Sequence, residues 1–246
     1  MNNVITKSAR VEKSAVTDAE LEQINKFAIE PLAAEQLFTF KVAICDNEID
    51  RDFEVFPTES LQKMAELYVG KTIIKDHRGQ SDNQVARIYA TEVVEENDTT
   101  KNGEKYARLI AHCYMVRTES NKDLITEIQA GIKKEVSVGC QIKKAVCSVC
   151  GTDNREAYCK HWNGMEYDGQ TCYFKLLNPS DAYEVSFVAV PAQPNAGVTK
   201  SYTGEETKYV DEKVENEVEK QADLINLNLE LVKSFLFVEN EGRDLE

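Results

Sequence analysis

"EVSVGCQI" at 135–142 and "YEVSFVAV" at 183–190 share a Glu-Val-Ser core, and each sets a serine inside an otherwise apolar, strand-forming run. Side chains alternate between the two faces of a strand, so Ser137 shares a face with Glu135 and Gly139, opposite Val136 and Val138. Gly139 carries no side chain, and the expectation is that the space beside the Ser137 hydroxyl stays open to an approaching substrate backbone. Ser186 is followed by Phe187, Val188 and Val190 and reads as a buried hydroxyl bonded to backbone. Glu184 is different, because a carboxylate in so apolar a strand costs free energy unless something pairs with it. A histidine that becomes cationic during a reaction is a suitable partner.

Five more runs have strand character: "LFTFKVAIC" (37–45), "KTIIK" (71–75), "VARIYATEVV" (85–94), "YARLIAHCYMV" (106–116) and "CYFKLL" (172–177). Two helices interrupt them. Pro57-Thr58 opens "ESLQKMAELY", which stops at Gly70; Ser120 caps "NKDLITEIQA", which stops at Gly131. Strands dominate without regular alternation with helices, which predicts an α+β fold on a β-barrel-like core or strongly bent sheet with flanking helices.

The chain divides into three parts. Residues 1–35 read as a loosely attached N-terminal arm with one short helix. There, Thr17-Asp18-Ala19-Glu20 has the form of a capping box, Leu21, Ile24 and Phe27 recur at helical spacing, and Pro31 ends the run. Residues 36–198 form the core, interrupted by a cysteine-rich insertion at 145–173. Residues 199–246 read as an acidic C-terminal helix or tail: thirteen acidic and six basic side chains fall in 200–246. Val210, Val214, Val218, Ala222, Ile225, Leu229, Val232 and Leu236 give this segment an apolar seam that fits its own domain or a partner.

A formal charge of −14 argues against direct nucleic-acid binding, which needs basic surface to neutralise phosphates, and equally against an anionic membrane surface. No apolar run approaches the roughly 20 residues of a membrane span, and "MNNVITKSARVEKSAV" lacks the apolar centre of a signal peptide. The expectation is an intracellular protein, in which seven cysteines do not build a disulfide framework. Cys45, Cys113 and Cys140 lie singly in strand-like runs and read as small core hydrophobes.

The other four cysteines crowd into "CSVCGTDNREAYCKHWNGMEYDGQTC" (147–172). Cys-x2-Cys-Gly is a zinc-knuckle turn that aims Cys147 and Cys150 at one tetrahedral ion, and Cys159 with His161 completes a Cys3His set. Cys172 competes with His161 for the fourth place. A closed four-ligand Zn2+ site leaves no position for water and is structural rather than catalytic.

Three histidines limit the choice of a general base. His161 belongs to the cysteine cluster, and His112, mid-strand in "IAHCYM", reads as a satisfied sheet histidine. His77 follows "KTIIKD" where a polar loop begins, a place where catalytic side chains collect. Asp76 is expected to point to the opposite face and so not to orient His77.

A strand leading to "DH", then "VSVG", then "YEVSFVAVPAQPNAGV" resembles the prohead maturation serine proteases of tailed bacteriophages, relatives in fold of herpesvirus assemblin. The resemblance runs from about Phe38 to Val198, and the last block carries it most specifically. It implies that His77 is the general base, Ser137 the nucleophile and Glu184 the acidic third member of an acyl-transfer site. It further implies a scaffolding region of the major capsid protein and the protease itself as substrates, a homodimer, and a location in the host cytoplasm inside the immature prohead. The alternative is a protease-fold capsid-assembly or scaffolding protein without catalysis, acting through its C-terminal helix.

Overall fold

The computed structural model describes residues 16–199. The expected C-terminal helix lies outside the described residues. Ten strands and three α-helices follow one another among the described residues: α1 Asp18–Asn25, β1 Leu37–Asp46, β2 Glu54–Val55, α2 Thr58–Tyr68, β3 Thr72–Lys75, β4 Ala86–Thr99, β5 Lys105–Val116, α3 Lys122–Gln129, β6 Val136–Cys147, β7 Glu166–Tyr167, β8 Gln170–Thr171, β9 Phe174–Phe187 and β10 Gly197–Thr199. Among the described residues no helix is long and apolar enough to cross a membrane.

The fold is α+β, but its sheet is mixed and not a closed barrel. Strand order is β10-β1-β5-β4-β3-β9-β2, with β6 also paired to β9. β6 runs antiparallel along the whole of β9, while β3 and β2 pair parallel with its two ends on the other edge. Val185, Ser186 and Phe187 are all buried, so both faces of the sheet are covered at this end of β9. β10, three residues long, pairs with β1 on one edge and on the other meets the chain leading into β6 at an isolated bridge, Glu135 with Gly197.

The runs 172–177 and 183–190 are one strand, not two, and it ends at Phe187 rather than Val190. The Asn-Pro pair between them reads locally as a turn, yet Asn178 takes a left-handed conformation and the chain continues. Two bulges absorb the irregularity: Ser180 and Tyr183 each lack a partner on β6. Beyond the Tyr183 bulge the register puts Glu184 opposite Gly139 and Ser186 opposite Ser137.

α2 lies across β9, β4 and β5 and buries Leu61, Met64 and Tyr68. Its N-terminus follows Pro57, and Gly70, at φ 81°, takes the left-handed turn that leads into β3. α3 is not capped by Ser120: Asn121 stands at its N-cap, and Ser120 lies in a preceding 3-10 turn in which Asn121 accepts from the Thr118 amide. The capping box at Thr17 and Glu20 is formed. The helix behind it is less loose than expected, since Ile24 is fully buried with Leu37, Tyr89 and Tyr114, and the Tyr89 hydroxyl donates to Glu20 at 3.0 Å. Cys45 and Cys113 are buried core residues, and burial pushes both thiols far above their ordinary range.

Candidate active site and metal centre

β3 ends at Lys75, and the next two residues, Asp76 and His77, both adopt the left-handed region, at φ 55° and 52°. Two consecutive non-glycine residues there are unfavourable and persist only where surrounding bonds enforce them. Those bonds are present. The Asp76 amide donates to the Phe187 carbonyl at 3.0 Å, and the His77 amide donates to the Ser186 hydroxyl at 2.9 Å. Asn83 closes the turn from the other side, its side-chain amide donating to the Lys75 and Arg78 carbonyls at 2.6 and 2.9 Å. Asp76 therefore stands in a turn, not on a strand face, and the alternation argument that excluded it does not apply. It makes no hydrogen bond with the His77 ring among the described residues.

The turn presents the His77 imidazole to Glu184, with Nδ1 2.8 Å from Oε1. The carboxylate is largely buried, its side chain 14% exposed, whereas the imidazole is 44% exposed. The other carboxylate oxygen, Oε2, accepts from the Ser186 hydroxyl at 2.9 Å. The partner that an acid in an apolar strand requires is thus a histidine and a serine together.

Gly139 does not leave room for a substrate. It faces Glu184 across the β6–β9 pair, and a Cβ built on it would lie 2.5 Å from Oε1. The absent side chain makes space for the carboxylate, a requirement visible only once the bulged register is known. The Gly139 carbonyl is held by the buried Tyr68 hydroxyl at 3.1 Å.

Ser137 is the cross-strand neighbour of Ser186 and lines a cleft of about 230 Å³. The cleft has an apolar floor, including Ile44, Phe56 and Leu176, and an acidic side formed by Asp50, Asp52 and Glu54 near Arg155. Burial raises the Asp50 and Glu54 carboxyls above their ordinary range, and their neighbouring acids add to the shift. No hydrogen bond joins Ser137 to His77 among the described residues. His112 is no substitute base. It pairs with Glu92 at 2.9 Å on the β4–β5 surface and packs edge-on to Tyr89.

Cys147, Cys150, Cys159 and His161 bring one ligand atom each within 4.8 Å of all the others, a cluster able to hold a metal ion. His161 faces the thiols through Nδ1, 3.8 Å from Cys147 Sγ and 3.6 Å from Cys159 Sγ. Cys150 and Cys159 are 3.6 Å apart. Hydrogen bonds from Thr152 hold the Cys150 thiol down to about 6, whereas burial pushes Cys159 and Cys172 up to about 11. Cys172 touches only one corner of the set, 3.7 Å from Cys147. The cluster lies where β6 ends and β9 begins, about ten residues of strand from Ser137, or on the order of 30 Å along the hairpin.

The chain matches no known family model, no curated protein and no solved structure.

Proposed function

We propose that the chain is a serine endopeptidase of capsid maturation, with Ser137 as nucleophile, His77 as general base and Glu184 as the acid that orients it. The observation that carries this reading is the 2.8 Å contact between His77 Nδ1 and Glu184 on the strand that also pairs Ser137 with Ser186. An ionised carboxylate only accepts, so Nδ1 carries the hydrogen, and in the neutral imidazole the lone pair then lies on Nε2. Nε2 has no protein partner among the described residues.

In the reaction, Nε2 takes the Ser137 proton as Oγ attacks a peptide carbonyl carbon. The C–N bond then breaks, and His77 returns the proton to the leaving amine. Water, deprotonated by His77, clears the acyl ester and restores Ser137. Glu184 stabilises the imidazolium at each step. The Ser137–His77 hydrogen bond forms when substrate docks, since catalytic bonds are commonly loose or misaligned in unliganded sites. The substrates are scaffold segments of the major capsid protein and the chain itself, inside the immature shell.

The metal is Zn2+ in a structural role. A tetrahedron with Zn–S bonds of about 2.3 Å and a Zn–N bond of about 2.0 Å has edges of about 3.8 Å between sulfurs and about 3.5 Å from sulfur to nitrogen. Three of the six separations, Cys147–His161 at 3.8 Å and Cys150–Cys159 and Cys159–His161 at 3.6 Å, lie within about 0.3 Å of those edges, and the other three stay within 4.8 Å. The ion would pin the loop joining β6 to β9, whose Asn163 donates to the Asp52 carbonyl at 2.8 Å beside the cleft.

The lack of a hydrogen bond between Ser137 and His77 among the described residues favours a second reading, a protease-fold capsid-assembly protein without catalysis. One experiment separates the two: the full chain is co-expressed with its capsid protein, with and without Ser137→Ala, and both proteins are followed by mass spectrometry. Processing that disappears in the variant is expected. Equal, uncut products in both overturn the protease reading.

A further inference from the structure

Ser186 is fully buried, and its hydroxyl touches both members of the His77–Glu184 pair. It accepts from the His77 backbone amide at 2.9 Å and donates to Glu184 Oε2 at 2.9 Å. Glu184 Oε1 in turn meets His77 Nδ1 at 2.8 Å. These contacts close a ring: His77 backbone, Ser186 hydroxyl, Glu184 carboxylate, His77 imidazole.

The ring has a fixed polarity. A hydroxyl has one hydrogen to donate, and an amide N–H cannot accept it, so the Ser186 proton is directed to the carboxylate. With Oε2 held by Ser186, Oε1 is left for the imidazole. The same hydroxyl anchors the second residue of the strained turn that carries the ring. One side chain therefore sets both the carboxylate rotamer and the backbone from which the base projects. No other side-chain hydrogen bond reaches Glu184 among the described residues.

We infer that Ser186 is a positioning residue for the His77–Glu184 pair, acting through Glu184 and the His77 amide without touching substrate. Its part in catalysis rests on the serine endopeptidase reading; its part in holding the pair does not. Hydrogen bonds to a charged group are strong enough that losing one should lower turnover by about tenfold to a hundredfold.

The test has two arms. In the first, wild type, Ser186→Ala, Glu184→Gln and the double variant cut full-length Ser137→Ala chain supplied in trans. We expect Ser186→Ala to reduce kcat at least tenfold with KM within about twofold, and to cost clearly less in the Glu184→Gln background than in wild type, the remainder being the part carried by the His77 amide. A kcat within twofold of wild type, or effects that multiply in the double variant, overturns the inference. In the second arm, 15N-histidine-labelled protein carrying Ser137→Ala is examined for the downfield Nδ1–H proton of His77. That proton should be present with Ser186, lost in Ser186→Ala and restored in Ser186→Thr. Should Ser186→Ala not fold, the isosteric pair Ser186→Thr and Ser186→Val decides, with the resonance expected in the first alone. A resonance unchanged by loss of the hydroxyl overturns the inference. Failure of wild type to cut in the first arm counts against the protease reading, and the second arm then decides the role of Ser186.

Discussion

Gly139 stands opposite Glu184 across two paired strands, and a Cβ on it would lie 2.5 Å from the carboxylate oxygen that meets His77. The contact would be with the movable end of a long side chain, so the backbone need not give way. The carboxylate would yield instead, away from His77 and Ser186.

Gly139→Ala should therefore separate stability from function. A loss of about 1–2 kcal/mol is expected from weakened hydrogen bonds at a partly buried carboxylate, measurable by urea unfolding. On the proposed protease reading, processing of the chain and a capsid protein should fall at least tenfold, and the His77 Nδ1–H proton signal should vanish. Full activity in a folded Gly139→Ala protein would show that the carboxylate need not occupy this slot.

How much of this was legible in the sequence varies with the range of the interactions. Glu184 declared its need of a partner through Val185 and Phe187, because the cost of an unpaired carboxylate is local knowledge. The cluster able to hold a metal was legible through spacing: Cys147, Cys150, Cys159 and His161 converge, and Cys172 stays at one corner. The role of Gly139 was hidden, since it depends on the bulges at Ser180 and Tyr183, and residue alternation does not encode register across a bulge. The same holds for the turn at Asp76 and His77, whose conformation is imposed by Phe187, Ser186 and Asn83 from distant parts of the chain. The barrel expectation failed for a related reason: strand count and length were readable, but the pairing of β10 with its neighbours was not.

The metal centre predicts a stoichiometry and a stability change. Purified protein should carry one equivalent of zinc by elemental analysis, and Cys150→Ser should reduce it. Removal by a strong chelator should lower Tm by about 4–8 °C or more, since about 2 kcal/mol shifts a domain of this size by that amount. Cys172→Ser should retain the metal, because Cys172 contacts Cys147 but lies outside the set of four. Loss of zinc in Cys172→Ser with retention in His161→Ala would exchange their roles.

The cleft acids predict a pH dependence. Burial, then repulsion by Asp50 and Asp52, raises the Glu54 carboxyl above its ordinary value, and Arg155 offsets this only in part. Below the ordinary carboxylate range Glu54 is protonated in both folded and unfolded chains and contributes no difference. As pH rises, the unfolded chain ionises first, and the fold carries the full penalty above the raised folded value. Glu54→Gln should thus raise Tm at pH 7–8 and leave it unchanged at pH 4 or below. The gain should be a few degrees at most, because the site is half exposed and water screens the repulsion. A gain at acid pH equal to that at neutral pH would assign the effect to packing rather than charge.

Asn83 offers the sharpest test of the turn that carries His77. Its side-chain amide donates to the carbonyls of Lys75 and Arg78, on either side of the two left-handed residues. Relaxing Asp76 and His77 toward ordinary dihedrals would relieve strain, and Asn83 is one of the restraints that prevents it. Asn83→Ala should cost about 1–2 kcal/mol in stability from two lost hydrogen bonds, yet its main effect should be local. Amide exchange at Asp76 and His77 should accelerate while the amides of β4 and β5 stay protected. Asn83→Asp keeps the side-chain shape but replaces the donor with an acceptor facing two carbonyls, so it should loosen the turn at least as much as Ala. If both variants leave exchange at Asp76 and His77 unchanged, the turn is held by Ser186 and Phe187 alone.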